Sequence, residues 1–212
     1  MNNITHTIKR NRWADWSQSA IAGRLLCTAL QPLLKNVADT SMLFRLNRLM
    51  RQVIMADTSN PMGYRNVVDG KLALLEGFEF NAGWKFPECF CSAYHTCIDR
   101  AAGRLTLQAP ACVPAKDICF PADATHCCLV AAGLEINFMR KLYVTGNERS
   151  GVMAAGQLTT VPLNLCCQVT PGSFQPLLLV MGLEFYRQVN ADLCPLNKGK
   201  WNALTIANIN SG

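Results

Sequence analysis

Cysteine and histidine are the residues of this chain best suited to chemistry, and one group stands close together: Cys89, Cys91, His95 and Cys97. Thiolate and imidazole are common zinc ligands, but structural zinc sites normally contain two closely spaced cysteine pairs. None of the eleven cysteines forms a C-x-x-C pair. If this segment is a strand, the four residues share one face by parity alone. The sequence therefore predicts no bound metal and no cofactor, and keeps a thiol or metal site here as an alternative.

The other cysteines form no regular framework. Two adjacent doublets, Cys127–Cys128 and Cys166–Cys167, fall inside apparent strands, where neighbouring side chains point to opposite faces. One member of each doublet can then face the core as a small apolar side chain. The odd total argues against a complete set of intramolecular disulfides. We expect mostly free and buried thiols.

The chain lacks the usual catalytic motifs. Its three histidines are His6, His95 and His126. No two glycines stand two apart, and neither G-x-S-x-G nor H-E-x-x-H occurs. His126 adjoins Cys127, but neighbours along a strand point apart and do not form a nucleophile and its base. The sequence predicts that the protein is not an enzyme and has no catalytic residues.

Charge is scarce and unevenly placed. Charged residues make up 16% of the chain, against about 25% in a typical soluble domain. None occurs between Arg149 and Glu184. Prolines and polar residues interrupt this segment too often for a membrane helix, so its apolar runs indicate strands buried on both faces. Together with the low overall charge, this favours a surface covered by further copies of the chain, in a homo-oligomer or a filament.

The N-terminal quarter is basic. Residues 1–57 contain eight Lys and Arg against three Asp, whereas residues 58–212 contain twelve against eleven. A basic segment can contact nucleic acid, anionic lipid or an acidic protein surface. Arg45, Arg48 and Arg51 follow one side of a predicted helix. The only aromatic residue near them is Phe44, which is expected in the core, so the aromatic partners of a nucleic-acid site are lacking. Nucleic-acid or acidic-partner binding is therefore the alternative function, and nucleic acid is not the favoured partner. The candidate interaction residues are Trp13, Trp16, Arg45, Arg48 and Arg51.

The apolar spacing divides the chain into three parts. A basic arm is expected at 1–16 and a helical hairpin at 17–57, where apolar residues recur at helical spacing and Pro32 interrupts the first helix. Beyond residue 70 the spacing changes to two, which is typical of strands and predicts an all-β domain at 58–212. The expected strands are 74–80, 89–98, 104–108, 125–131, 134–144, 157–169, 174–187 and 201–209. The expected turns include 132–133, 146–147, 171–172 and 197–199. The predicted fold is α+β, an N-terminal helical hairpin followed by a mainly antiparallel β-sandwich.

The segment at 60–81, NPMGYRNVVDGKLALLEGFEFN, resembles a group of uncharacterised bacterial proteins of the Bacteroidota. In that group a variable N-terminal region leads into a similar LLEGFEFN stretch and an all-β remainder. The resemblance implies a fold rather than an activity, and it transfers no functional residue. The cysteine-rich strands of this chain depart from the group's pattern.

The expected function is that of a non-catalytic structural subunit that self-associates. No secretion signal is evident, so the default location is the cytoplasm, with an extracellular or particle-associated assembly as the alternative. The sequence does not choose between a closed ring and a filament.

Overall fold

The computed structural model describes residues 2–37 and 39–212, with side chains from residue 11 onward. The helices are α1 (Asn2–Ala29), α2 (Gln31–Leu34), α3 (Met42–Met55), α4 (Phe86–Cys89) and α5 (Pro114–Asp117). The first strands are β1 (His95–Asp99), β2 (Arg104–Ala109), β3 (His126–Asn137), β4 (Leu142–Arg149) and β5 (Met153–Ala154). The remaining strands are β6 (Leu163–Gln168), β7 (Leu177–Val189), β8 (Asp192–Pro195) and β9 (Ala203–Asn210).

These elements form three layers. The larger sheet runs in the order β4-β3-β7, with β8 and β9 pairing with β7 and β5 pairing with the start of β3. The smaller sheet has the order β1-β2-β6, and every strand pairing is antiparallel. One hydrophobic core lies between α1, α3 and the larger sheet, and a second lies between the two sheets. The predicted α+β class is confirmed.

The central strands β3 and β7 are covered on both faces. In β3, Cys127 and Leu129 point into the core between the sheets, while Cys128 and Val130 point toward the helices. The split of the Cys127–Cys128 doublet onto opposite faces is therefore confirmed. β7 lies in the middle of the sheet, with β3 on one side and β8 and β9 on the other. The uncharged part of β7, Leu177–Leu183, is buried within one chain, so its lack of charge is not evidence for a partner.

The helical layer differs from the prediction at its start. α1 is continuous from Asn2, so the segment set apart as a basic arm at 1–16 is helical from residue 2 onward. Apolar periodicity reveals only the part of a helix that is buried. The turns of α1 before residue 17 lack this pattern and were not predicted, although no proline there would prevent a helix. Pro32 interrupts the helix as expected. It lies in the first turn of α2, where a proline has no intrahelical N–H bond to lose.

Two predicted turns are wrong. Ala132-Gly133 and Gly146-Asn147 lie inside β3 and β4, where Gly133 pairs with Gly146. Both glycines allow close approach by the smaller sheet. A Cβ added to Gly133 would lie 2.8 Å from the Cβ of Cys167, and one added to Gly146 would lie 2.4 Å from the carbonyl oxygen of Gln168. The turn at 171–172 is confirmed.

The segment predicted as a strand at 74–80 is only partly extended. Leu72–Leu75 forms a 3-10 turn, after which Gly77 and Phe80 donate backbone hydrogen bonds to β9 at 2.8 Å. Phe78 and Phe80 are both buried, as the alternation with Glu79 predicts. The strand predicted at 89–98 begins only at His95, because Cys89 ends the short helix α4.

Candidate interaction surfaces

The structure brings three of the five predicted interaction residues together. Trp13 and Trp16 lie on α1 with ring centroids 5.4 Å apart, and the guanidinium of Arg51 on α3 lies 4.5 Å from the centre of the Trp16 ring. Trp13 remains 66% exposed. The contact between Arg51 and Trp16 is a cation–π contact, in which the negative face of the indole ring attracts the guanidinium. The positive charge of Arg51 remains exposed to solvent.

Arg51 belongs to a stripe of exposed residues along α3. Phe44, Arg48, Arg51 and Met55 are spaced by four, three and four residues, so they project from one side of the helix. Phe44 is 73% exposed. We call the exposed side of α1 and α3, formed by these four residues with Trp13, Trp16 and Arg24, the helical face. The expectation that Phe44 belongs to the core is therefore wrong, and Met55 was not identified because a single apolar residue among polar neighbours has no periodic signal.

Arg45 does not belong to the helical face. Its guanidinium contacts the Asp39 carboxylate at 2.9 Å and the carbonyl oxygen of Glu79 at 2.7 Å. Burial favours a raised pKa for Asp39. Hydrogen bonds from Ala82 N–H, Ser41 and Arg45 outweigh that effect and lower the pKa to about 2. Arg45 therefore joins α3 to the segment before Phe80. Its role as an interaction residue stays a prediction.

The carboxylates of the helical layer are all withdrawn from the surface or paired. Asp15 is buried and accepts a hydrogen bond from Gly63 N–H at 3.0 Å. Asp57 is buried and accepts hydrogen bonds from Ser59, Asn60 and Asn66, which lower its pKa against the opposing effect of burial. Asp39 is neutralised by Arg45. The exposed cations of residues 11–57 are Arg12, Arg24, Lys35, Arg48 and Arg51.

A second candidate surface is the outer edge of β4. This strand pairs with β3 on one side, and no strand of the described chain pairs with its other side. Ser150 donates its N–H to Leu129 at 2.8 Å, and hydrogen-bonded positions alternate along an antiparallel pair. Tyr143, Thr145 and Asn147 consequently direct their backbone groups away from β3.

The side chains along the outer edge of β4 are mainly apolar. Leu142, Tyr143 and Val144 are exposed, and Leu142 is 61% exposed. They line one side of a cleft of about 410 Å³, whose other lining residues are polar or charged: Glu135, Asn137, Arg140 and Gln175. Phe174, next to Gln175, is exposed as well. The single strand predicted at 134–144 is wrong, because the chain turns before Leu142, where Lys141 has a φ of 58°. We call the outer side of Leu142–Asn147 the β4 edge.

The thiol and imidazole cluster is not assembled. Cys89 is buried at the end of α4 and its thiol donates to the carbonyl oxygen of Lys85 at 2.9 Å, whereas Cys91, His95 and Cys97 are exposed. The expectation that they share one strand face is wrong because Cys89 is helical. In the part of the chain that the structure describes, no three His, Cys, Asp or Glu side chains are grouped to hold a metal ion.

The eleven cysteines are all free, but only five are buried. Burial raises the pKa of Cys27 to about 11 and that of Cys167 to about 12, and it also raises the pKa of Cys89 and Cys127. These thiols are protonated near neutral pH and are poor nucleophiles. The exposed cysteines are Cys91, Cys97, Cys119 and Cys194. The expectation that most are buried is therefore not met.

A further cleft, of about 490 Å³, lies at one end of the smaller sheet. His95, Gln108 and Asn164 occupy one cross-strand row of β1, β2 and β6 beside Tyr94. The two amide residues could not be identified from the sequence, because only the pairing of distant strands brings them together. The polar side chains of the lining are those of Tyr94, His95, Gln108 and Asn164.

No protein-family model, curated protein or solved structure matches this chain. The resemblance of residues 60–81 to uncharacterised bacterial proteins therefore stays a prediction. None of the helices described is long and apolar enough to cross a membrane.

Proposed function

We propose that this protein is a non-catalytic structural subunit that self-associates through the β4 edge. The observation that carries the proposal is the free outer side of β4, where backbone N–H and C=O groups are unpaired beside exposed apolar side chains. Soluble proteins usually protect such an edge with charge, proline or a covering segment. Residues 142–147 contain neither a charged residue nor a proline.

A second copy of the chain complements this edge. In an antiparallel pairing with a two-fold axis at Val144, Tyr143 of one copy lies opposite Thr145 of the other, so their outward backbone groups meet. Glu148 of one copy then lies near the turn of the other copy that carries Arg140 and Lys141, twice by symmetry. Arg149 adds no repulsion, because its charge is paired with Glu184 within its own chain.

Apolar contacts reinforce the pairing. The two Val144 side chains meet at the axis, and the Leu142 side chains lie on the same face of the strand, next to the cleft. A two-fold contact of this kind produces a dimer, and growth into a filament requires a second and different contact. The proposed product of the β4 edge is therefore a dimer, as the unit of any larger assembly.

Sedimentation velocity over a concentration series tests the proposal. The unsubstituted protein should sediment increasingly as a dimer as its concentration rises. Val144→Lys places two ammonium groups at the axis, and Thr145→Pro removes an outward N–H, so both variants should remain monomeric. The matched control is Val189→Lys, because Val189 is about as exposed but lies on another strand, β7. Circular dichroism confirms that each variant is folded.

Two outcomes would overturn the proposal. One is an unsubstituted protein that stays monomeric throughout the concentration series. The other is a dimer that both β4 variants form as readily as the Val189→Lys control, which would place the contact on another surface.

A further inference from the structure

We propose that the helical face binds membrane surfaces rich in anionic lipid. The helical face combines arginines with exposed tryptophan, phenylalanine and methionine side chains on two helices that pack side by side. Peripheral membrane surfaces have this composition, since cations contact the lipid phosphates while aromatic and apolar side chains enter the boundary of the acyl chains. The interaction is peripheral and needs no spanning helix.

Charge complementarity favours an anionic partner. Within residues 11–57 the exposed cations have no exposed and unpaired carboxylate among them, because Asp15 and Asp57 are buried and Asp39 is paired with Arg45. The described surface of residues 11–57 is therefore more strongly cationic than the composition of that segment alone indicates. Anionic lipids attract such a surface over a distance of about 10 Å at moderate salt.

The apolar side chains distinguish lipid from nucleic acid. Phe44 and Met55 flank the two arginines along α3, and Leu43 is exposed beside them. An aliphatic or thioether side chain gains little on a phosphate backbone, but it is stabilised when it leaves water for the acyl boundary. One side of the Trp16 ring is already covered by the Arg51 guanidinium, which leaves less of it for stacking with a base.

A second copy of the chain does not complement the helical face. Two-fold pairing of this face with itself would bring Arg48 and Arg51 of both copies together without a carboxylate to separate them. Like charges placed together across an interface are strongly unfavourable. The helical face and the β4 edge, which lie on different elements, therefore have different partners.

Co-sedimentation with lipid vesicles tests the inference on the full chain. We expect the protein to sediment with vesicles of phosphatidylcholine and phosphatidylserine, but not with vesicles of phosphatidylcholine alone. Binding should weaken as salt is added. Replacing each arginine with glutamine should lower the partition coefficient about fivefold, and Arg48→Gln with Arg51→Gln roughly 25-fold.

A matched control removes the same charge elsewhere. Arg104→Gln with Arg187→Gln changes two exposed arginines of β2 and β7, and it should leave vesicle binding almost unchanged. Trp13→Ala should weaken binding without changing its salt dependence, because Trp13 contributes apolar contact rather than charge. The fluorescence of Trp13 should also shift to shorter wavelength on vesicles as the ring leaves water.

The inference fails if the protein ignores phosphatidylserine vesicles, or if the Arg104 and Arg187 variant loses binding as much as the Arg48 and Arg51 variant. Binding of single-stranded DNA at salt concentrations that abolish vesicle binding would identify nucleic acid as the partner instead. Loss of the Arg48 and Arg51 charges should not alter dimer formation through the β4 edge, so the two proposals stand or fall separately.

Discussion

Arg149 and Glu184, the two charged residues that bracket the longest uncharged segment of the chain, form an ion pair with each other. The guanidinium of Arg149 donates to both carboxylate oxygens of Glu184, at 2.5 and 3.0 Å. Glu184 is only 2% exposed and also accepts a hydrogen bond from the hydroxyl of Tyr186. Burial raises the pKa of Glu184, but these hydrogen bonds outweigh it and the pKa is lowered. The uncharged segment therefore begins at the end of β4 and ends within β7, where Glu184 contacts Arg149.

Removing Arg149 should destabilise the fold. Arg149→Ala leaves the buried Glu184 carboxylate without its cation, and we expect the free energy of unfolding to fall by about 3 kcal/mol in urea titrations. Arg149→Met combined with Glu184→Leu removes both charges and should recover much of that loss. Equal destabilisation by the single and the double variant would show that the ion pair is not the cause.

The Asp39 and Arg45 pair should make stability depend on acidity. The pKa of Asp39 is lowered to about 2 in the folded protein, against roughly 3.9 in an unfolded chain. Because the folded value is the lower one, the stabilisation is complete above pH ~4 and is lost as the pH falls toward ~2. Urea titrations of Asp39→Asn and the unsubstituted protein should therefore converge over this range. A difference that stays constant with pH would contradict the assignment.

Gly146 should not tolerate a side chain. A Cβ at this position would lie 2.4 Å from the carbonyl oxygen and 2.7 Å from the nitrogen of Gln168, and backbone atoms cannot move aside easily. We expect Gly146→Ala to lower the free energy of unfolding by about 1–3 kcal/mol. Gly151→Ala is the control, because nothing lies within 4 Å of its added Cβ. Similar losses for both glycines would contradict the close approach of β4 and β6.

The cysteines should react with an alkylating reagent in three groups. Four exposed thiols should be modified rapidly in the folded protein, the half-buried Cys27 and Cys166 more slowly, and the five buried ones only as the protein unfolds. Denaturation without a reductant should expose all eleven. Mass spectrometry of peptides labelled over time identifies the members of each group, and a labelling total well below eleven would reveal disulfides.

Much of the fold was accessible from the sequence because the relevant signals are local. The apolar spacing of Leu46, Met50 and Val53 marks the buried side of α3, and the alternation of Phe78, Glu79 and Phe80 marks a half-buried extended segment. The Cys127–Cys128 doublet divides between two cores because adjacent residues of a strand always point apart. None of these inferences requires knowledge of which segments meet.

The candidate surfaces depended on contacts between distant segments. Arg45 and Arg51 cannot be distinguished from their positions along α3. In the structure, Arg45 binds the Asp39 carboxylate and the carbonyl oxygen of Glu79. Arg51 instead stacks on Trp16 of α1 and stays at the surface. Gly146 resembles a turn glycine until β6 packs against it.

By itself the sequence determined the order and type of the main elements, the sides of α3 and β3 that are buried, and the concentration of cations near the N-terminus, since each depends on residues a few positions apart. Only the tertiary structure decided that β7 is central while β4 is an edge, that the acidic residues of the helical layer are buried or paired, and that Arg149 meets Glu184. Strand order and ion pairing depend on which distant segments of the chain pack together. The spacing of residues along the chain does not show those contacts.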